Sequence, residues 1–459
     1  MGVRAALLAC LILLLAPAAL LAHARLLKSS PQAGERLMAS PARIVLEFSE
    51  ALARGMSRVA LVDPRGATIR LGQARDSMGS HTIVADVTQA LPAGTYTVHW
   101  LAAGRDGHPQ HGSFSFTVVG PAPGAPGAAS RDTAVSRDTA VSGDTAVSGD
   151  TAVSEIAADE TALGQPMTAA RWLGFLALFS VIGSLGLRFA ILPRVARSSD
   201  GDPFIHIASI GAATYGLIAA VVLGVATVIK LYGQSVAMRD IPLEAILLTT
   251  GWGWAWSAQM AACLIAVVGF TTAHRGTRSG WPLAALAGAV LVVTPAATGH
   301  AIGSDEALFA VPLDILHVLA GSTWLGTLAV ILIVGIGAAA KTPGTMSLGA
   351  RVATMINAFS PLALICGATI VGTGVIASLL HLEPLSSLWT SQYGKVLIVK
   401  IAFVALLLAV GAWNWRRVRP SLGGDEGVKA LRFSAKVELS VAAMVLMVTA
   451  FLVALPLPE

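Results

Sequence analysis

Three side chains that lie far apart in the sequence could together hold one metal ion. His23 follows a hydrophobic leader, and Asp106 and His108 flank Gly107 in a β-rich segment. If a peptidase cleaves after Ala22, His23 supplies a free α-amine and an imidazole that can chelate the same ion. Asp106 and His108 would add a carboxylate oxygen and a second imidazole. Such a nitrogen-rich N,O set favours tetragonal Cu(II), which also stands at the top of the affinity order for first-row divalent metals.

The position of the leader cleavage decides whether that chelate exists. Residues 1–22 have a positive start at Arg4, an apolar run and a small-residue exit, as a secretory signal peptide does. Cleavage after Ala22 retains His23 as the first residue. Cleavage after Ala24 fits the small-x-small pattern slightly better and would remove His23. The residues of the leader leave both sites open.

A second group of polar side chains lies in the apolar half of the chain. Asp314 and His317 are three residues apart and therefore share one face of a predicted helix. His300 and His381 fall at the predicted outer ends of two other helices. Ionisable groups at membrane depth are costly and commonly mark ion pathways, so their shared depth indicates a copper path. The alternative is that the two outer histidines are interfacial and that Asp314 and His317 form a satisfied buried pair.

Sulfur ligands are less informative. Met260 and Cys263 are three residues apart on a predicted helix and would suit Cu(I). Methionine is a common gap-filler in apolar packing, however, and we interpret this pair as packing. The three cysteines of the chain, Cys10 in the leader, Cys263 and Cys366, provide no disulfide framework.

The elements that must position these residues differ between the two halves of the chain. Residues 23–120 contain short runs in which apolar and polar residues alternate, with Ile44, Leu46 and Phe48 as one example. This period of two predicts half-buried strands, and several of them in fewer than a hundred residues predict an immunoglobulin-like β-sandwich. Residues 121–166 repeat Asp-Thr-Ala-Val-Ser every six residues and predict a flexible linker.

Residues 167–459 predict a membrane domain. The chain has 55% hydrophobic and only 12% charged residues, which excludes a wholly soluble globule, and the apolar excess lies here. Eight runs are long enough to span a bilayer: 169–193, 204–230, 243–270, 281–299, 308–338, 358–381, 394–415 and 431–455. Basic residues concentrate in alternate loops, so the positive-inside rule places both chain ends outside the cytoplasm. We therefore expect a multi-pass protein of the bacterial cytoplasmic membrane, with the β domain on the outer side.

Two families resemble the two halves. The stretch from His23-Ala24-Arg25-Leu26 through Leu46-Glu47-Phe48, together with Asp106-Gly107-His108-Pro109, resembles the copper-resistance protein CopC. The resemblance implies Cu(II) ligation by His23, Asp106 and His108, and it favours cleavage after Ala22. The membrane half is similar to CopD in Gly299-His300-Ala301, in Asp314-x-x-His317, in Gly372-Thr373-Gly374 and in segments around Lys400, Asn414 and Glu438.

These observations predict a copper-binding and copper-transport protein rather than an enzyme. The outer domain would capture Cu(II) and pass copper, as Cu(I) or Cu(II), to the membrane domain, with uptake as the direction that the resemblance favours. The sequence has no P-loop or phosphorylatable Asp-Lys-Thr-Gly motif, so it does not predict ATP-driven export. The modest net charge of +5 sits mainly in short loops and does not indicate nucleic-acid binding. A copper-dependent redox enzyme and a haem-linked membrane redox protein are the alternatives.

Overall fold

A computed structural model of the chain contains two compact units, one built on β-strands and one built on long helices. The residues that the structure describes are 26–49, 52, 57–72, 75, 81–103, 109–120, 150–196, 203–238, 242–297, 307–342, 346–381 and 386–455.

In its described residues, the first unit contains eight strands in two sheets: β1 Leu26–Ser30, β2 Arg36–Leu37, β3 Arg43–Phe48, β4 Arg58–Val62, β5 Thr68–Ile69, β6 Thr82–Asp86, β7 Gly94–Ala103 and β8 Pro109–Val118. One sheet has the order β1-β3-β6 and the other β2-β8-β7-β4-β5. Both contribute to one core, with Ile44 and Leu46 from the first sheet and Val98 and Phe116 from the second. The all-β, two-sheet prediction is confirmed, because the alternating apolar residues are the ones that turn inward.

The longest hairpin joins β7 to β8. Its register runs without interruption from the Gly94–Val118 pair to the Ala103–Pro109 pair. Near the tip, Gly112 lies opposite Trp100, and a Cβ at Gly112 would come within 2.6 Å of the Trp100 ring. Glycine is needed there because the indole lies flat over the neighbouring strand. At the other end of β7, the Tyr96 hydroxyl donates a 2.8 Å hydrogen bond to the Pro92 carbonyl, which fixes the entry into the strand.

Within the described residues, the second unit contains eight helices long and apolar enough to cross a membrane, as predicted. They are α1 Pro166–Ala196, α2 Pro203–Val236, α3 Gly251–His274, α4 Gly280–Ala297, α5 Leu308–Lys341, α6 Leu348–Leu379, α7 Gln392–Ser421 and α8 Glu426–Leu452. Large apolar side chains remain exposed along these helices, Ile218, Leu264 and Ile365 among them. An exposed apolar belt of this kind matches a lipid environment.

The largest differences from the predicted helix boundaries are in three places. The predicted run 243–270 is broken: a short helix Leu243–Thr249 ends where Thr250 becomes extended, and α3 begins at Gly251. Thr249, Thr250 and Gly251 have low helix propensities, which apolar content alone does not reveal. The helix that contains α1 begins at Asp150, so residues 150–166 of the predicted linker are helical. Residues 121–149 lie outside the described residues. Helix α6 starts about ten residues before the predicted 358.

Small residues bring α1 and α5 into backbone contact. A Cβ at Gly183 of α1 would lie 2.1 Å from the Gly326 carbonyl carbon, and a Cβ at Gly326 would lie 1.9 Å from the Phe179 carbonyl oxygen. Helices in lipid associate through such close approach, since the hydrophobic effect does not drive them together there. This contact fixes the position of α5, which carries Asp314 and His317. A π-helical turn at Ser322–Gly326 occurs at the same level.

Candidate functional site

The outer candidate site lies at one end of the β-sandwich. Leu26, at the start of β1, pairs with Phe48 of β3. The Phe48 ring in turn packs edge-on against Trp100 of β7, with ring centroids 5.3 Å apart. Trp100 lies three residues before the tip of the β7–β8 hairpin. The start of β1 and the tip of the hairpin therefore share one end of the sandwich, although they belong to different sheets.

The three predicted ligands of this site, His23, Asp106 and His108, lie outside the described residues. The start of β1, the end of β7 and the start of β8 are nevertheless described, and they are adjacent to these residues in the sequence. Three extended residues span at most about 10 Å, so His23 is tied to within that distance of Leu26. Asp106 and His108 fall in the five-residue connection between the paired residues Ala103 and Pro109. The sandwich thus anchors both chain segments at the same end, which is what a site shared between them requires.

Other histidines and methionines of the β domain occupy different positions. The carbonyl of His81 accepts a 2.7 Å hydrogen bond from the Phe48 amide, so this residue also lies at the Phe48 end, with an exposed side chain. Met38 is 80% exposed and follows β2, whose partner residues Thr117 and Val118 are at the far end of β8 from the hairpin tip. Met38 is therefore remote from the outer site.

In the membrane domain, His317 of α5 is held by Thr373 of α6. The His317 Nδ1 and Thr373 Oγ1 atoms are 2.8 Å apart. The Thr373 hydroxyl also lies 2.7 Å from the Thr369 carbonyl of its own helix, to which it must donate its only hydrogen. Nδ1 of His317 is therefore the donor to Thr373. The neutral imidazole then leaves Nε2 unprotonated, and Nε2 is the nitrogen that can bind a metal.

The space beside this imidazole is open. A Cβ at Gly374 of α6 would lie 3.6 Å from the His317 Cε1 atom, which separates the two ring nitrogens. Glycine at this position leaves the edge of the ring uncovered. The sequence motif Gly372-Thr373-Gly374 thus combines a hydrogen-bond acceptor for Nδ1 with two residues that carry no side chain. The role of Thr373 was not foreseen from sequence, because it depends on how α5 and α6 face each other.

Asp314 lies one turn before His317 and is half-buried. It interacts electrostatically with Lys400 and with Tyr393, both from α7. Lys400 also interacts electrostatically with His317. Among the described residues, no ion pair of 4.0 Å or less closes off the Asp314 carboxylate. Its oxygens are therefore available to a cation, while the nearby ammonium weakens the binding of any second positive charge. Weak, reversible binding is a requirement for conduction.

The other two predicted members of the membrane path are His300 and His381. His300 lies outside the described residues. His381 ends the helix Leu348–His381 two turns beyond Thr373, or about 12 Å along the axis, and its side chain is not described. Within the described part of the chain, no three His, Cys, Asp or Glu side chains are close enough to hold a metal ion. Asp314 and His317 are therefore the two path residues whose side chains the structure describes.

Cys263 has neighbours that fit the packing interpretation. It is buried, its thiol interacts with the Thr227 hydroxyl, and Lys230 lies near it. A lysine ammonium opposes the binding of a Cu(I) ion at the same sulfur. Met444, part of a similar spacing with Met447 on α8, is 51% exposed and faces away from the bundle.

Models of two families cover most of the chain. The CopC domain matches residues 26–119. The copper resistance protein D-like N-terminal domain matches residues 161–311, and copper resistance protein D matches residues 353–452. The order of these matches is the order of the two units, and the first match coincides with the β-sandwich.

Three known proteins extend the comparison. The copper transport protein CutJ of Bacillus subtilis is 24% identical over 98% of this chain and 77% of its own length. Copper resistance protein D of Pseudomonas syringae pv. tomato is 26% identical over 56% of this chain and 85% of its own length. Copper resistance protein C of Escherichia coli is 33% identical over 21% of this chain and 82% of its own length. The likeness to CutJ thus spans both units.

Proposed function

This chain belongs to the CopC and CopD copper-resistance families, joined in one polypeptide, and we propose from that premise that it captures copper outside the cytoplasm and carries it across the membrane. The family membership and the eight apolar helices make it a multi-pass membrane protein of copper handling. The ligands, the hand-off and the direction of transport are the proposed part.

In the proposed mechanism, the β domain binds Cu(II) through His23, Asp106 and His108. The free amine and imidazole of His23 form a chelate, and the hairpin loop adds an oxygen and a second imidazole. Support comes from the described ends of β1 and of the β7–β8 hairpin, which meet through Phe48 and Trp100.

Copper then passes to the membrane domain, where we propose that Asp314 and His317 bind it. The observation that carries this proposal is the hydrogen bond between His317 Nδ1 and Thr373. This bond fixes the tautomer in which Nε2 carries no proton and can bind a metal. Lys400 limits how tightly the site holds its ion, so copper can leave toward the cytoplasm. His300 and His381 are proposed to receive copper before this point.

The orientation follows from charge. Alternate loops of the membrane domain carry most of the basic residues, which favours their placement in the cytoplasm. That arrangement puts the β domain outside and makes uptake the direction in which copper would meet the outer domain first. It also agrees with the secretory leader.

A test of this function measures copper accumulation in bacteria that lack other copper importers and express the full chain. We expect accumulation above the background of cells without the chain. His317→Leu should abolish that gain while leaving the amount of protein in the membrane unchanged, because leucine costs less than histidine in lipid.

The matched control is His206→Leu, since His206 is an exposed histidine at the start of α2 and takes no part in the path. It should accumulate copper as the wild type does. Equal accumulation by a well-expressed His317→Leu protein would show that the pair on α5 is structural. A lack of accumulation by the wild-type chain would contradict the transport function itself.

A further inference from the structure

A second polar cluster lies deeper in the membrane domain than Asp314 and His317. Glu438 of α8 is only 4% exposed, although it sits in the middle of an apolar helix. The Asn414 side-chain amide of α7 donates a 2.5 Å hydrogen bond to its carboxylate. The indole of Trp324 on α5 also lies within hydrogen-bonding reach of it. We call Glu438, Asn414 and Trp324 the inner cluster.

The inner cluster lies farther along the route that begins at His317. Trp324 is seven residues beyond His317 on α5, or about 10 Å along the helix axis. Asn414 is fourteen residues beyond Lys400 on α7, or about 21 Å in the same direction. Because α5 and α7 both run from the proposed outer surface inward, the two helices place this cluster toward the cytoplasm from the Asp314–His317 pair.

No fixed positive charge neutralises Glu438 in the part of the chain that the structure describes. No basic nitrogen forms an ion pair with it, and neither α5 nor α7 presents a charged side chain that acts on it. The charged residues on neighbouring turns, Arg416 and Arg417 of α7 and Lys436 of α8, are exposed. A carboxylate inside a membrane domain is expensive unless a cation accompanies it. Glu438 is therefore either neutralised by a bound proton or accompanied by a mobile cation.

The cluster also has an unused ligand atom and room beside it. Asn414 Oδ1 is buried and has no hydrogen-bond partner among the described residues. A Cβ at Gly411 would be 3.8 Å from Glu438 Oε1 and 3.4 Å from the Trp324 ring. Gly411 thus leaves a space of about one methyl group next to the carboxylate. The side chains of Asn414 and Trp324 can stabilise the Glu438 carboxylate when a cation accompanies it.

We propose that Glu438, with Asn414 and Trp324, forms an inner cation site at which a proton and the transported copper ion compete. Copper that leaves the Asp314–His317 pair is stabilised there by the free carboxylate. A proton bound from the cytoplasmic side neutralises the same carboxylate and withholds that stabilisation. A proton from cytoplasmic water forms an O–H bond on Glu438, and when copper arrives this bond breaks and the proton returns to the same water. This inference rests on the proposed transport function.

The experiment uses the full-length protein in lipid vesicles, with a copper-sensitive dye inside. Copper uptake is measured while the pH on the side that corresponds to the cytoplasm is varied from about pH 8 to about pH 5. For the wild type, we expect uptake to fall with acidification and to level off, at the acid end, at the slower rate of Glu438→Gln. Glu438→Gln should take up copper several-fold more slowly and show no response to internal pH.

Two further variants sharpen the result. Glu426→Gln makes the same change at the exposed start of α8 and should behave as the wild type does. Trp324→Phe keeps a ring in place but removes a donor to the carboxylate, so the proton is held more firmly. The midpoint of the pH response should therefore move to a more alkaline internal pH. This variant also tests the site if Glu438→Gln does not fold.

Failure of the inference differs from failure of the proposed function. If wild-type vesicles take up copper and Glu438→Gln retains the same pH response, the inner site is wrong and transport stands. An unmoved midpoint in Trp324→Phe would equally contradict it. If wild-type vesicles take up no copper at any internal pH, the transport function fails and the inner site fails with it.

Discussion

The two candidate copper regions of this molecule are built for opposite solvents. The proposed outer one is next to described strand ends of the β-sandwich, and the sequence predicts its ligands before β1 and between β7 and β8. The membrane one lies within helices, and its described polar groups have specific neighbours, as His317 has Thr373 and Asp314 has Lys400. Water can satisfy a free amine or carboxylate, whereas a membrane interior cannot. The membrane region must therefore be organised before copper arrives, whereas water can satisfy the ligands of the outer region in the absence of copper.

The largest effect is expected at the free amine of His23. Adding a methionine before His23 in the isolated β domain, or making His108→Ala, should lower Cu(II) affinity by at least about a hundredfold. An α-amine loses its proton near pH 7.7–8.0 and an imidazole near pH 6.5, and only the neutral forms bind metal. Copper binding should therefore weaken steadily as the pH falls through these values. Calorimetric titration at several pH values measures both effects.

The matched control for that measurement is the same domain with His99→Ala. His99 is half-buried on β7, and its partners are Ala60 and Ser113 within the sheet. It should bind Cu(II) as the unchanged domain does. Full affinity in the domain with a blocked amine would mean that water-exposed ligands at the loop suffice, and the contrast between the two regions would weaken.

The second effect concerns the preorganisation of the membrane region. Gly326→Ala places a methyl group against the backbone of Phe179, which cannot move without displacing α1 from α5. We expect the membrane domain to lose about 1–3 kcal/mol of stability, which thermal unfolding in detergent would detect. Gly337→Ala is the control on the same helix, because nothing lies within 4 Å of its added Cβ. Equal stability of the two variants would show that the α1–α5 contact does not fix the position of α5.

The smallest effect is expected from the connection between the regions. The repeats within residues 121–149 predict a tether that keeps the β domain at about millimolar effective concentration near the membrane. Expressing the two domains as separate chains should lower copper accumulation when copper is scarce, and excess copper should restore it. Removal of one repeat should have little effect, because the span of a flexible chain grows only as the square root of its length.

Unchanged accumulation by separate chains at limiting copper would indicate that the β domain is a buffer rather than the donor. The two regions would then act independently.

Local patterns in the sequence were sufficient for much of the fold. The alternation of Ile44, Leu46 and Phe48 predicted a strand with one buried face, and that face is buried. Eight apolar runs predicted eight membrane helices, since the length that a bilayer requires is a local property. The spacing of Asp314 and His317 likewise placed them on one face of one helix. The break at Thr250 was missed, because apolar content does not distinguish one long helix from two shorter ones.

Only the tertiary structure decided which side chains meet across helices. Thr373 follows His317 by more than fifty residues, and no spacing rule connects them; their 2.8 Å contact depends on how α5 and α6 pack. The same holds for Asn414 and Glu438, and for Gly183 and Gly326, whose lack of side chains sets the distance between α1 and α5. The sequence by itself determined which groups could bind a cation and on which helix face each lies. The packing of the helices determined which of them have partners, because hydrogen bonds and charges act over a few ångströms in space, whatever their separation along the chain.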